Sequence, residues 1–293
     1  MKKYITKKAN EDFIFLTDVI INKGSREKRL AYDLKEKEKA IFKYQSYECT
    51  EACSEKMSYE IAKRLGYPCA KIEFAHDENG TLGVLNYLFT SEKRVQHTDA
   101  VAYINNGGDR KKFHTIENIE NCLNKIDSKL FKDFLKIMVF DALVGETDRH
   151  EENWGISYSN GEYRISPLYD NGCNLLREYK DENKIIENWE NGKKDFNAYT
   201  NRSKTLIYNS KNDKKYTHFE LIKQLYKKYK KEIKQEIENL NKITDKEFEK
   251  IVKRIPNEFM SDMQKKYIIK YLILRKEKLL EIIKNENILK DGE

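Results

Sequence analysis

Asp148, Asn153 and Asp170 have residue types and a spacing that suit one kind of chemistry, the transfer of a phosphoryl group. The first two lie in Gly145-Glu-Thr-Asp-Arg-His-Glu-Glu-Asn-Trp-Gly-Ile156, the third in Arg164-Ile-Ser-Pro-Leu-Tyr-Asp-Asn-Gly172. Phosphoryl transfer needs one carboxylate to accept the proton of the attacking hydroxyl. It also needs a carboxamide and a second carboxylate to hold Mg²⁺ against the nucleotide phosphates. Asp148 is then the candidate base, and Asn153 and Asp170 are the candidate metal ligands. An Asp and an Asn five positions apart occur in many chains, so the assignment rests on the elements that would position them.

Those elements are legible. Ser128 to Val144 is apolar on more than one face, which predicts a helix buried in the middle of a domain. It stops at Gly145 and delivers the chain into Thr147-Asp148. Beyond Asn153, Trp154 to Tyr158 and Glu162 to Leu168 read as two short strands around Ser159-Asn-Gly161, and the second ends at Tyr169-Asp170. His150 and Arg149 are read as braces of the loop, through hydrogen bonds and through a nearby carboxylate respectively. A zinc site built on His150, Glu151 and Glu152 has no second histidine at suitable spacing, and no G-x-S-x-G elbow supports a serine hydrolase.

The first ninety residues read as a β-rich unit. Phe13 to Ile21 and Lys39 to Tyr44 are expected strands, the latter with Ile41 and Lys43 on one face and Phe42 and Tyr44 on the other. Between them, Gly24-Ser-Arg-Glu-Lys-Arg29 offers a glycine, a hydroxyl and basic side chains, a plausible phosphate cradle built from Ser25, Arg26 and Lys28. A helix is expected over Thr50 to Leu65, where Cys53, Met57, Ile61 and Leu65 form an apolar stripe and Gly66 sits at the C′ position. Glu60 lies beside that stripe, and kinases need a Lys–Glu ion pair to aim the lysine at the phosphates; Lys43 and Glu60 are the expected pair. Ala70 to His76 and Leu82 to Phe89 complete the strands, with Asn79-Gly80 at the turn between them. Asn86 and Leu88 fall where backbone groups would meet an adenine ring.

After residue 90 the pattern is mainly helical, giving an N-lobe over 1–90 and a C-lobe over 91–293. Residues 171 to about 215 are polar with weak periodicity and are expected to form an activation-loop-like segment; none of Ser166, Thr200, Ser203, Thr205 and Ser210 is marked as a phosphosite. Helices are expected over 219–240, 245–254 and 261–285. The chain has 293 residues, 39% of them hydrophobic, a net charge of +7 and a mean hydropathy of −0.84. Because Lys and Glu alternate almost everywhere, the charge reads as a solvated exterior rather than a nucleic-acid surface. No apolar run reaches membrane-spanning length, and the basic start lacks the apolar stretch of a signal peptide, so a cytoplasmic protein is expected, with export by a signal-independent route left open. Cys49, Cys53, Cys69, Cys122 and Cys173 are scattered and expected to be reduced.

Asp148-Arg-His-x-x-Asn153 together with Pro-Leu-Tyr-Asp170-Asn-Gly resembles the catalytic loop and metal-binding motif of the HipA-like bacterial serine/threonine kinases, and the shorter CtkA-type members in particular. Gly24-Ser-Arg-Glu-Lys-Arg29 resembles their phosphate-loop segment, Ile41-Phe-Lys43 their nucleotide-binding lysine strand, and Ser58-Tyr-Glu60-Ile-Ala-Lys-Arg-Leu the helix that bears their glutamate. The resemblance runs from about residue 20 to 175. It implies an α+β, bilobal protein-kinase-like fold, use of ATP and Mg²⁺, Asp148 as base, Asn153 and Asp170 as metal ligands, Lys43 on the α- and β-phosphates and Glu60 orienting it. The acceptor it implies is a protein serine or threonine. An antitoxin-type partner is compatible with it; direct nucleic-acid or membrane binding is not expected. The chain is shorter than full-length HipA toxins, so their extra N-terminal subdomain is expected to be absent.

Two other readings remain open on the residues alone. Lipid kinases share an Asp-Arg-His-x-x-Asn loop and antibiotic phosphotransferases an Asp–x₄–Asn spacing, so a lipid or small-molecule kinase of the same fold is the first alternative. A nucleotide-binding pseudokinase is the second.

Overall fold

The computed structural model describes residues 1–20, 27–90, 95–105 and 107–288. Its first part is a six-stranded sheet in the order β1-β5-β6-β4-β3-β2, formed by β1 (Thr6–Lys8), β2 (Phe13–Ile20), β3 (Lys28–Asp33), β4 (Lys39–Tyr44), β5 (Ile72–His76) and β6 (Leu82–Tyr87). All neighbours are antiparallel except β1 and β5. The strand expected at Lys39 to Tyr44 is present with those bounds. The span from Gly24 to Arg29 is not wholly a loop between two strands: Lys28 and Arg29 open β3, a strand whose charged residues hide its period of two. Its buried positions are Ala31 and Asp33, and a buried aspartate is a poor strand signal.

Helix α1 (Glu51–Leu65) lies across one face of the sheet. Gly66 ends it in the left-handed conformation at φ +76°, as a C′ glycine should. The period of two in β4 sends Phe42 into a small aromatic cluster on the far face, with Phe13, Phe15 and Tyr44, while Lys43 points toward α1.

The remainder is mainly helical. After β7 (Gln96–Asp99) come α2 (Val101–Ile104), α3 (Arg110–Phe113), α4 (Ile116–Ile126) and the central α5 (Ser128–Val144), which is buried on several faces. Strands β8 (Gly155–Ser159) and β9 (Glu162–Ile165) form the expected hairpin, turned by Asn160 and Gly161, both at positive φ. β7 joins them as a third strand that the sequence did not announce. The weakly patterned segment after Asp170 is built of α6 (Glu182–Ile185), a π-helical turn over Ile186–Glu190, α7 (Phe196–Asn201), β10 (Lys204–Tyr208) and β11 (Lys215–Thr217). The single helix expected over 219–240 is two, α8 (His218–Lys228) and α9 (Lys230–Asn239), broken at Tyr229; α10 (Asp245–Lys253) and α11 (Asp262–Ile288) follow.

One large core runs through the molecule. Met57, Ile61 and Leu65 of α1 and Phe74 of β5 belong to the same buried cluster as α5, α8 and α11. Phe74 packs on Phe259 with centroids 4.1 Å apart, and the Tyr4 amide donates to the Arg254 carbonyl at 2.8 Å.

Gly145, between α5 and the loop 146–153, is at φ +76°, and a Cβ there would collide with the Tyr271 hydroxyl. Gly145→Ala therefore adds steric overlap to the backbone strain of about 1–2 kcal/mol. We expect its melting temperature to fall further than that of Gly66→Ala, which has the same φ but open space around it. Equal losses in a thermal melt would show that the Tyr271 contact is soft.

Candidate active site

The segment 145–153 leaves α5 as a tight loop held from beneath by Arg149. That side chain is buried and forks onto the Asp141 carboxylate, Nε to Oδ2 at 3.1 Å and Nη2 to Oδ1 at 2.8 Å. It also donates to the Asn153 carbonyl (3.0 Å), the Tyr169 carbonyl (2.9 Å) and Asn171 Oδ1 (2.6 Å). One guanidinium thus ties the helix end, the loop and the segment around Asp170 together. Burial alone would make ionisation of Arg149 costly, but Asp141 and Glu146 hold its pKa above the usual arginine range. The sequence reading placed a carboxylate near Arg149; that carboxylate is Asp141. His150 does less bracing than expected: its Nδ1 accepts from the Glu152 amide at 3.2 Å, and the ring lines the cleft.

Asp148 is half-buried. Its backbone carbonyl accepts from Asn153 Nδ2 at 2.7 Å and from the His150 amide at 2.8 Å, and its amide donates to Glu146 Oε1 at 2.8 Å. Among the described residues its carboxylate meets the Cys173 thiol, 3.7 Å from Oδ2. Because the Asn153 amide nitrogen is committed to the loop, its Oδ1 is the end left to act as a ligand. Glu146, which the sequence reading missed, staples the loop to the next segment by accepting also from the Cys173 amide (3.3 Å) and Asn174 Nδ2 (3.0 Å). Burial pushes its carboxyl up to about 7 against the pull of Arg149.

Lys43 reaches across from β4. Its ammonium lies 2.8 Å from Glu55 Oε1 and 2.8 Å from Asp170 Oδ1. Desolvation would drive the lysine neutral, yet the two carboxylates hold its pKa above the normal lysine range. Asp170 is held below the usual carboxylate range: burial opposes ionisation, but Lys43, and further off Lys28 and Arg149, outweigh it. For Glu55 burial wins, and its carboxyl is raised. Asp170 adopts φ +55°, a left-handed conformation that aspartate tolerates better than most residues.

The glutamate on Lys43 is Glu55, not Glu60. Glu60 pairs instead with Lys56 at 2.9 Å, and Lys56 is buried against the Ile72 carbonyl (2.8 Å) and Glu73 (3.2 Å), fastening α1 to β5. The reason is geometric. Only six residues join Tyr44 to α1, so the end of β4 faces the first turns of that helix. Glu60 is five positions further on, about 7.5 Å along the axis and some 140° around it. The short connection was the available signal.

The other expected binding residues divide. Ser25 and Arg26 lie outside the described residues. Lys28 lines the cleft at the start of β3. Asn86 donates from Nδ2 to Glu55 Oε2 at 3.2 Å, so its side chain orients the glutamate. The Leu88 amide donates to the Lys39 carbonyl at 3.0 Å and is spent on the sheet; an incoming ring would meet Leu88 through other atoms.

The cleft has two adjoining chambers that share Lys28, Lys43, His150, Asn153 and Asp170. The polar one, about 390 Å³, reaches Glu55, Asp148 and Cys173. The other, about 370 Å³, is walled by Ile41, Leu88, Phe89, His97 and Tyr169. The last three rings cluster at 5.2–5.7 Å, and Asp99 accepts from the Tyr169 hydroxyl and faces His97 Nε2, both at 3.0 Å. A flat apolar wall beside a cationic, carboxylate-rich chamber suits a ligand with an aromatic ring at one end and phosphates at the other. Asn153 and Asp170 supply hard oxygen donors of the kind Mg²⁺ takes alongside phosphate oxygens. Among the described residues no group of three His, Cys, Asp or Glu forms a metal cage of its own.

A sheet-plus-helices fold with this cleft defines a protein-kinase-like class, and the chain belongs to the HipA-like C-terminal domain family, whose model its residues 21–263 match. Over 179 residues it is 27% identical to the serine/threonine-protein kinase CtkA of Helicobacter pylori, an alignment that covers 56% of this chain and 52% of that protein, about half its length. The crystal structure of CtkA, described as a proinflammatory kinase, superposes with a TM-score of 0.77 at 20% identity, covering 94% of this chain and 96% of that one. The Shewanella oneidensis MR-1 toxin–antitoxin complex of HipA, HipB and operator DNA supplies a second match, TM-score 0.53 at 13% identity, over 90% of this chain and 65% of that one. These superpositions establish the shared fold, and with the family match they bear out the expected HipA-like kinase architecture.

Proposed function

We propose that the protein transfers the γ-phosphoryl group of ATP to a hydroxyl, with a protein serine or threonine as the acceptor. The observation that carries this reading is the convergence of Lys43, Asp148, Asn153 and Asp170, from three separate parts of the chain, on one cleft. Lys43 would bind the phosphate oxygens, held in place by Glu55 and Asn86. Lys28 would add positive charge, and Ser25 and Arg26, outside the described residues, are proposed as further phosphate contacts. The adenine ring would rest among Ile41, Leu88, Phe89 and Tyr169. Asn153 and Asp170 would hold Mg²⁺, whose charge, when bound, offsets that of the phosphates. Asp148 would accept the proton of the attacking hydroxyl.

The serine/threonine acceptor is supported by the curated relative's designation as a serine/threonine-protein kinase. A cytoplasmic setting and an antitoxin-type partner belong to the same reading, the partner suggested by the HipA–HipB complex. Among the described residues no helix is long and apolar enough to cross a membrane.

Purified protein given radiolabelled ATP, Mg²⁺ and a generic protein substrate should label that substrate on serine or threonine. Label appearing only on a lipid or small-molecule acceptor would overturn the protein-kinase reading. Glu55→Gln should weaken nucleotide binding by about tenfold or more, because it leaves Asp170 as the sole anion on Lys43 and alters its aim. Glu60→Gln should leave nucleotide affinity nearly unchanged and lower only thermal stability. Titration calorimetry on both variants decides between the two glutamates.

A further inference from the structure

Ser203 lies between α7 and β10, on the segment where the sequence offers several hydroxyls and marks none. Its Oγ is 2.6 Å from Arg275 Nη1 and 3.0 Å from His218 Nδ1. Both partners are buried, while Ser203 itself is half-buried and so keeps an open side.

The surroundings of Arg275 are short of negative charge. Arg275 is fully buried, and its hydrogen-bond partners are the Ala142 and Thr200 carbonyls, the Ser203 hydroxyl and the Tyr271 hydroxyl. Among the described residues it has no carboxylate partner, and its Nη2 is buried without any acceptor. Its guanidinium also lies over the Phe219 and Tyr271 rings, 4.8 and 5.1 Å from their centroids; a buried guanidinium that meets neutral oxygens and ring faces but no anion is short of a counter-charge.

His218 is the second polar partner of the Ser203 hydroxyl. Its Nε2 is 2.7 Å from the Glu146 carbonyl, and its Nδ1 is 3.0 Å from the Ser203 carbonyl as well as facing the hydroxyl. A neutral imidazole carries one proton and can serve only one of those carbonyls; an imidazolium would serve both. Burial, reinforced by the charge of Arg275, keeps the ring neutral, with a pKa near 3. An added anion would supply the counter-charge that Arg275 lacks and would favour a protonated His218.

We propose that Ser203 is a phosphorylation site whose phosphate is bound by Arg275 and a protonated His218. In the step itself the Ser203 hydroxyl loses its proton to a carboxylate base, such as Asp148 of a second copy. The Oγ–phosphorus bond forms as the bond from the γ-phosphorus to its bridging oxygen breaks, and the nucleoside diphosphate leaves. Only this supply of phosphate by the same protein rests on the proposed kinase activity; the receptor geometry does not. The modification would be felt at the catalytic loop, since His218 holds the Glu146 carbonyl and the Glu146 carboxylate holds the Asp148 amide. An ordered segment captured by a new cation–phosphate contact is a recurrent switching device.

Two experiments test it separately from the kinase reading. In the first, the full chain is incubated with ATP and Mg²⁺ in the presence of a generic protein substrate, and phosphate is mapped by mass spectrometry. Phosphate on Ser203 supports the proposal; a labelled substrate with Ser203 unmodified overturns self-phosphorylation there while leaving the kinase reading intact. In the second, phosphoserine is installed at position 203 during translation, so no catalysis by this protein is needed. Its ³¹P titration should give a second pKa well below the ordinary value of about 6, and the melting temperature should rise by about 2 °C or more over the unmodified chain. Arg275→Gln should abolish both effects; because that variant could fail to fold, His218→Gln, which cannot be protonated, should return the phosphate pKa part of the way. A phosphate that titrates near 6, or a lowered melting temperature, would overturn the site.

Discussion

Asp148→Asn is expected to slow phosphoryl transfer by about 10²- to 10⁴-fold, the usual contribution of a positioned general base. The substitution spares the contacts that shape the loop. The Asp148 amide and carbonyl, through which Glu146, His150 and Asn153 hold it, are backbone groups and remain. The carboxylate contacts only the Cys173 thiol among the described residues, a weak bond whose loss should scarcely alter stability. Nucleotide affinity should also persist, because Lys43, Asn153 and Asp170 are untouched. The expected signature is thus a fall in kcat with little change in ATP binding or melting temperature. A rate within a few fold of the parent would remove Asp148 from the role of base.

Arg149→Met is expected to cost about 3–5 kcal/mol of stability, as breaking one side of a buried ion pair commonly does. Asp141 would be left buried without its partner, and three further acceptors (the Asn153 and Tyr169 carbonyls and Asn171 Oδ1) would each lose a donor. Burial already raises the Asp141 carboxyl against the pull of Arg149, so without the arginine it should take up a proton rather than stay charged. In a chain of this size the melting temperature should fall by about 6–15 °C. The double variant Arg149→Met/Asp141→Leu should recover part of the loss, because it removes the stranded carboxyl together with its partner. If the double variant were as unstable as the sum of the two single ones, the pair would not be coupled and Arg149 would act mainly through its carbonyl contacts.

The parts of this fold that could be read from sequence are those in which one local rule dominates. The span of α5 follows from its apolar faces, the ends of α1 and α5 from their glycines, and the β8–β9 turn from Asn160-Gly161. Where a residue's role depends on a partner distant in the chain, local rules fail. Glu55 and Glu60 both look like edge residues of one helix, and only the angle at which β4 approaches α1 distinguishes them. Asp141, in the last turn of an apolar helix, has no local rationale; it is there for an arginine on the next loop. His218 and Arg275 lie far along the chain from the Glu146 and Ala142 carbonyls they hold, in stretches that read as ordinary amphipathic helix. Strand β3 was obscured because its buried Asp33 and flanking cations mimic a loop, and β7 because four residues of mixed polarity carry too little pattern.

The shared core gives the N-terminal sheet and the helical remainder a common fate. Phe74 rests on Phe259 and Tyr4 hangs from Arg254, while the glutamate that orients Lys43 rides on a helix that packs against β5, β6 and α10 and shares its buried cluster with the rest of the helical body. Shuffling the first ninety residues between relatives as a ready-made module would strand these partners on both sides of the cut. The sheet and the helical body are thus bound to change in concert over evolutionary time, each substitution at the seam waiting on a compensating one across it.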